Sequence, residues 1–118
     1  MRLLNTMVGL VFLSMTVANA QKKEPKFEVL SDTMVKAIYY HSNGEISQIG
    51  CFKNGRLQGE WIMFDENGKK IALGEYKEGK RIGEWFYWNP NGEALREVTY
   101  SNGKLINVIE WKNSRALF

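Results

Sequence analysis

Two stretches decide how this chain folds: "GEWIMFDENGKK" at 59–70 and "GEWFYWNPNGEA" at 83–94. They share a glycine, a Glu-Trp pair and an Asn-Gly dipeptide at a constant offset of 24 residues. The same step recurs on either side. Gly44, Gly68 and Gly92, each preceded by Asn, lie 24 apart, and so do Gly55, Gly79 and Gly103. Phe52, Tyr76 and Tyr100 keep the interval, as do Tyr40, Phe64 and Trp88, while Gly59 with Trp61 maps onto Gly83 with Trp85. Self-similarity at a fixed period of this size marks a stacked-repeat protein, in which no unit can bury its apolar surface alone.

The units run 35–58, 59–82 and 83–106, with a partial fourth at 107–113 and a tail at 114–118. Within each unit Asn-Gly lies between apolar-rich runs. That is a hairpin signal, because both residues tolerate the positive φ of a tight type I′ turn. The other glycines, in "KNGRLQGEW", "KEGKRIGEW" and "SNGKLINVI", follow short polar runs and predict a second, slightly longer turn between units. No segment repeats apolar residues at helical spacing. The reading is all-β: a single-layer antiparallel meander of repeated hairpins, with a helix only in the N-terminal signal. A two-residue turn at Asn67-Gly68 would set Trp61 opposite Gly74 and Met63 opposite Ala72 on one face. It would set Ile62 opposite Leu73 and Phe64 opposite Ile71 on the other. Both faces are then apolar, and one must be covered by the N-terminal segment, a second copy or a partner.

The first twenty residues, "MRLLNTMVGLVFLSMTVANA", place Arg2 before an apolar run from Val8 to Val17 and close on Ala18-Asn19-Ala20. This is the order of a secretory signal, with Ala18 and Ala20 as the small residues that a signal peptidase accepts, so cleavage after Ala20 is expected. The apolar run is too short to cross a bilayer. No cysteine follows the cleavage point to carry a lipid. The segment 21–34 reads as a polar leader with a short strand near Phe27 to Leu30. Export to the periplasm or beyond is the expected address.

Loss of residues 1–20 removes one of the 16 basic residues and none of the 13 acidic ones, and leaves the two signs interleaved. A balance this even gives no nucleic-acid footprint. Cys51 is the only cysteine, so no internal disulfide forms, and its place in an apolar strand pattern suits a buried small hydrophobe. One His and one Cys cannot build a metal site by themselves, and His41, directly before a turn, reads as an exposed hairpin position. Glu60 and Glu84 each sit beside a Trp, but they are the same repeat position twice, which explains them without an active site. No cofactor and no catalysis are expected. The aromatic residues carry the remaining signal: they read as the core of a thin sheet, to which buried rings contribute most, and, because a single layer cannot hide both faces, Trp61, Met63, Trp85, Phe86, Tyr87 and Trp88 form the candidate interaction surface.

The run "GEYKEGKRIGEWFYWNPNGE" at 74–93 resembles the bacterial variant of the MORN repeat, through Gly74, Tyr76, Gly79, Lys80, Gly83, Trp85, Trp88 and Gly92. The preceding unit matches through Gly50, Phe52, Gly55, Gly59, Trp61, Phe64 and Gly68, and the third departs at Val98, Asn107 and Ile109. The resemblance covers about 35–111. It implies an elongated sheet of hairpins that serves as a scaffold for proteins or, in some members, phospholipid membranes. Relatives labelled as antitoxins act on cytosolic partners, which conflicts with an export signal. Small exported forms are typical of Bacteroidota. The expected role is therefore a non-enzymatic exported scaffold that binds a protein or envelope component through an aromatic sheet face. Carbohydrate or peptidoglycan recognition and an antitoxin-like role are the alternatives. Contact with a membrane surface and self-association through open edge strands are compatible with this reading.

Overall fold

The computed structural model describes residues 23–89, 91 and 93–112. The signal segment with Ala18 and Ala20, Gly92, and the residues from 113 onward lie outside the described residues. Eight strands follow in order: β1 (Lys26–Val29), β2 (Met34–Tyr40), β3 (Ile46–Lys53), β4 (Arg56–Phe64), β5 (Lys70–Lys77), β6 (Lys80–Trp88), β7 (Ala94–Ser101) and β8 (Lys104–Lys112). They form one antiparallel sheet in sequence order, β1 through β8. No helix occurs among the described residues. Extensive contacts run only between consecutive strands, so the sheet is open and the meander is a single layer. Of the three covers considered for an apolar face, the segment before the repeats is not the one, because it forms a short strand. It joins the edge as β1, with Phe27 opposite Ala37 and Val29 opposite Val35.

The two kinds of turn are exchanged relative to the sequence reading. The tight two-residue turns are Asn54-Gly55, Glu78-Gly79 and Asn102-Gly103, closed by the pairs Lys53 with Arg56, Lys77 with Lys80 and Ser101 with Lys104. Both residues of each turn have positive φ, 50° at the first and 78° to 84° at the glycine, which is the type I′ geometry. The Asn-Gly pairs at 43–44 and 67–68 sit instead in five-residue loops, in which only the glycine has positive φ. A side-chain oxygen holds each loop: in the first, Asn43 Oδ1 accepts from the Glu45 N–H at 3.0 Å, and in the second Asp65 does so from the loop's start. Asp65 Oδ1 accepts from the backbone N–H of Asn67 and of Lys69, both at 2.9 Å, and the Asp65 N–H donates to the Lys69 carbonyl at 2.8 Å. The longer loop shifts the register at its mouth, so Phe64 pairs with Lys70 and not with Ile71. Deeper in the strand the expected pairs stand: Trp61 with Gly74, Ile62 with Leu73, Met63 with Ala72.

The core is one row of alternating large and small residues across the sheet. Register partners carry it through Ala37 and Gly50, then Trp61 and Gly74, then Trp85, Val98 and Val108. The tryptophan rings need the glycines. A Cβ built on Gly50 would stand 1.7 Å from Trp61 Cε3, and one on Gly74 would stand 1.9 Å from Trp85 Cδ2. Each indole thus lies flat on the bare backbone of the strand before it, which is how Trp85 reaches 2% exposure in a sheet with no second layer. The strands bulge to allow this: between Leu73 and Glu75 the pairing shifts, opposite Gly83 with φ 64°. The third unit has Val98 and Ile109 in place of the glycine and tryptophan, and all of β8 is exposed.

Two substitutions test this account. Gly74→Ala should lower unfolding stability by about 1–3 kcal/mol through overpacking, and pairing it with Trp85→Leu should cost less than the sum of the single changes, read by chemical denaturation. Glu78 holds the left-handed conformation that Asn or Gly adopts cheaply, so Glu78→Asn should stabilise by about 1 kcal/mol in the same assay.

Candidate functional site

Strand alternation divides the six aromatic and methionine candidates between two faces. Trp61, Met63, Trp85 and Tyr87 share the face of the glycines, whereas Phe86 and Trp88 lie on the reverse, their rings stacked at 6.2 Å. The first face is a self-packed aromatic layer. Trp61 and Trp85 form its buried cluster with Val98, and Tyr39, Phe52, Leu57, Met63, Tyr76, Tyr87 and Tyr100 pack around them. Edge-to-face contacts join successive rings, Phe52 to Trp61 at 6.0 Å, Trp61 to Tyr76 at 5.9 Å and Tyr76 to Trp85 at 5.0 Å. The indole N–H groups are satisfied as well, Trp61 donating to Gln48 Oε1 at 3.0 Å and Trp85 to the Glu75 carbonyl at 3.2 Å. With 7% and 2% exposure, Trp61 and Trp85 fill the sheet's interior and cannot offer contact area to a partner. Their expected place on the interaction surface is corrected on that ground.

The reverse face has no such covering. Register partners run Ile38, Ile49, Ile62, Leu73 and Phe86 in one unbroken row across β2 to β6, every side chain half-buried. Two residues further along the same face, Trp88 pairs with Leu95 and Leu95 with Trp111. Leu95 is buried between them, and Trp111 is 41% exposed. A hollow of ≈ 400 Å³ at this corner is lined by Tyr87, Trp88, Leu95, Arg96, Glu110 and Trp111, where Arg96 and Glu110 form an ion pair at 2.9 Å. Sequence reasoning placed Ile62 opposite Leu73 on this face, as found, but its candidate surface named only Phe86 and Trp88 here and left out the isoleucines. Their signal was present as the position before Gly50 and the position after Trp61, one residue out of phase with the conspicuous glycines and tryptophans.

The remaining candidates have structural places. His41 is half-buried, its Nε2 donating to the Phe64 carbonyl at 2.8 Å, and Asn43 Nδ2 donates to the Glu66 carbonyl at 2.9 Å. These two bonds tie the first long loop to the second. Cys51 is a half-buried free thiol, opposite Lys36 on one side and Gln58 on the other. Glu60 and Glu84 are exposed, paired across the strands with Glu75 and Thr99. Among the described residues no group of His, Cys, Asp and Glu could hold a metal ion.

The most perturbed group is Tyr87. Burial, then a hydrogen bond with Tyr100, pushes its phenol up from the ordinary 10.0 to about 12. Beside it the Arg81 guanidinium, hydrogen-bonded to Tyr76 and Tyr100 and lying over the Trp85 ring at 5.3 Å, is held more firmly charged than usual. Because the folded state favours the neutral phenol, the stability it contributes is complete below pH 10 and is lost as pH climbs through about 12. A tyrosinate absorbance titration should therefore show a phenol ionising at about pH 12, and Tyr87→Phe should remove that step and flatten the alkaline loss of stability.

The sequence profile of the MORN repeat variant matches residues 35–54, 57–78 and 81–102, three consecutive units in the register of the hairpins. Neither a curated protein nor a solved structure matches the chain. The three matched segments span more than half of the sequence and coincide with strands β2 through β7, and the chain belongs to the MORN repeat variant family, non-catalytic repeats that in general mediate protein or membrane interactions.

Proposed function

We propose that the protein is a non-enzymatic scaffold of the cell envelope or its exterior, and that it binds a protein partner through the reverse face of the sheet. One observation carries this reading: five consecutive strands present a continuous apolar row, Ile38, Ile49, Ile62, Leu73 and Phe86, on a face that no second layer covers. A row of that length on one side of a thin sheet marks a contact surface. Trp88 and Trp111 extend it toward the loop end, where an apolar side chain from the partner can seat against their rings above the buried Leu95. The aromatic contribution to binding thus comes from Phe86, Trp88 and Trp111, and the tryptophans of the opposite face act by holding the sheet flat enough to present the row. Export is the companion reading, supported by the charged, apolar and small-residue order of residues 1–20.

Capture from envelope extract tests the surface. Ile62→Thr with Trp111→Ser should lose the partners that wild type retains, while near-native tryptophan fluorescence shows the sheet intact; recovery of the same partners would count against the reverse face. Retention on insoluble peptidoglycan in place of any protein would favour the glycan reading. Cell fractionation with N-terminal analysis should find the protein outside the cytoplasm, beginning at Gln21, and a cytoplasmic chain that keeps residues 1–20 would remove the export reading.

A further inference from the structure

The edge of the sheet formed by the tight turns carries a charge pattern that the fold does not require. At this edge stand Lys53 and Arg56, then Lys77, Lys80 and Arg81, then Lys104, all exposed, against two acids, Asp32 and Glu78. Lys53 is the direct cross-strand partner of Arg56, and Lys77 of Lys80. Like charges directly opposite destabilise a hairpin. Among the described residues the ion pairs are Lys26 with Glu28 and Arg96 with Glu110, so none of the six edge cations is neutralised in this way.

Two hollows flank the second tip, the first on the reverse face beside Gln58 and the second on the tryptophan face beside Leu57 and Tyr76. Between the first and second tips, Lys53, Arg56, Lys77 and Glu78, with Asn54 and Gln58, line a shallow space of ≈ 500 Å³. Between the second and third, Lys80, Arg81 and Lys104, with Tyr76 and Asn102 among their neighbours, line one of ≈ 750 Å³. The backbone of one tip bonds to the preceding hairpin, Gly79 N–H to the Leu57 carbonyl at 2.9 Å and Gly103 N–H to the Arg81 carbonyl at 2.8 Å, which fixes the spacing of the tips. Two strand widths separate them, about 10 Å. Three cations line each hollow, and the tip residues Lys53, Arg56, Lys77, Lys80 and Lys104 carry the positive charge along the edge from one face to the other.

We infer that this edge binds a linear acidic polysaccharide, whose regularly repeated carboxylate or sulfate groups seat in successive hollows. The lining favours a hydroxyl-rich polymer: the amides of Asn54, Gln58 and Asn102 and the Tyr76 phenol stand among the cations and can bond sugar hydroxyls. A single-stranded nucleic acid would need exposed rings on which to stack its bases, and Tyr76, half-buried, is the aromatic residue that lines either hollow. A bilayer would need a broad basic surface with apolar anchors spread across it, whereas this charge follows one narrow edge whose exposed apolar side chains, Leu30 and Leu105, stand near its two ends.

Calorimetry on the purified protein tests the inference with polygalacturonate and heparin as probes, against dextran, a single-stranded oligonucleotide, phosphatidylglycerol vesicles and inorganic phosphate. At least one of the two acidic polymers should bind, with affinity that falls as salt rises. Arg56→Gln, Lys80→Gln and Lys104→Gln together should weaken binding roughly tenfold or more. These side chains are exposed, so tryptophan fluorescence should stay native. The reverse-face variant Ile62→Thr with Trp111→Ser should keep polymer binding, which separates failure of this inference from failure of the scaffold reading. Absence of binding to both polymers, undiminished binding by the triple variant, equal binding to dextran or inorganic phosphate, or tighter binding to the oligonucleotide or vesicles would each overturn it.

Discussion

A flat tryptophan on a bare glycine is the contact on which the rest of this structure depends. A single sheet has no partner layer with which to exclude water, so it must bury apolar area within its own thickness. Trp61 over Gly50 and Trp85 over Gly74 do this by laying the largest side chains along the sheet, where each ring covers the strand before it. Tyrosines and Phe52 then wall the rings edge-on. Without the glycines the rings would stand upright, and the same residues would expose more surface than they bury.

That arrangement divides the labour between the faces. The glycine face spends its aromatic residues on cohesion, and their indole N–H groups are bonded within the sheet. The reverse face, freed from that task, carries smaller aliphatic side chains in register across five strands. The turns divide as well. Short type I′ turns make one edge narrow and basic, while the five-residue loops at the other edge are joined to one another by His41 and Asn43. One repeat thus generates a cohesive face, a bare face, a charged edge and a bonded edge.

Much of this could be read from the residues. The interval of 24 and the meander follow from periodicity, whereas the pairing of Trp61 with Gly74 was read from a two-residue turn that does not form and holds because the shift between Met63 and Phe64 restores the register. The turn assignment did not follow, since the strongest hairpin dipeptide, Asn-Gly, occurs at both ends of the strands. Side-chain oxygens, of Asn43 in the first long loop and Asp65 in the second, decide between them, and Glu78, a poor left-handed residue, hides one of the tight turns. Trp61 and Trp85 follow the core reading of the aromatic residues and not the surface one, because each ring lies on a glycine. The reverse face was legible as apolar through Ile62 opposite Leu73, but its full row was not, because isoleucine carries no repeat signature as distinctive as Gly or Trp.

The direction of the overlap has a consequence for how the domain assembles. Each indole covers a glycine that precedes it in the chain, Trp61 reaching back to Gly50 and Trp85 back to Gly74. A polypeptide emerging N-terminus first can therefore seal every finished hairpin with the next few residues to appear, like tiles laid so that each course overlaps the one beneath. Growth in that order is vectorial and needs no waiting for distant segments. It stops where Val98 and Ile109 take the places of the glycine and its tile, which leaves β8 as the course with nothing laid over it among the described residues.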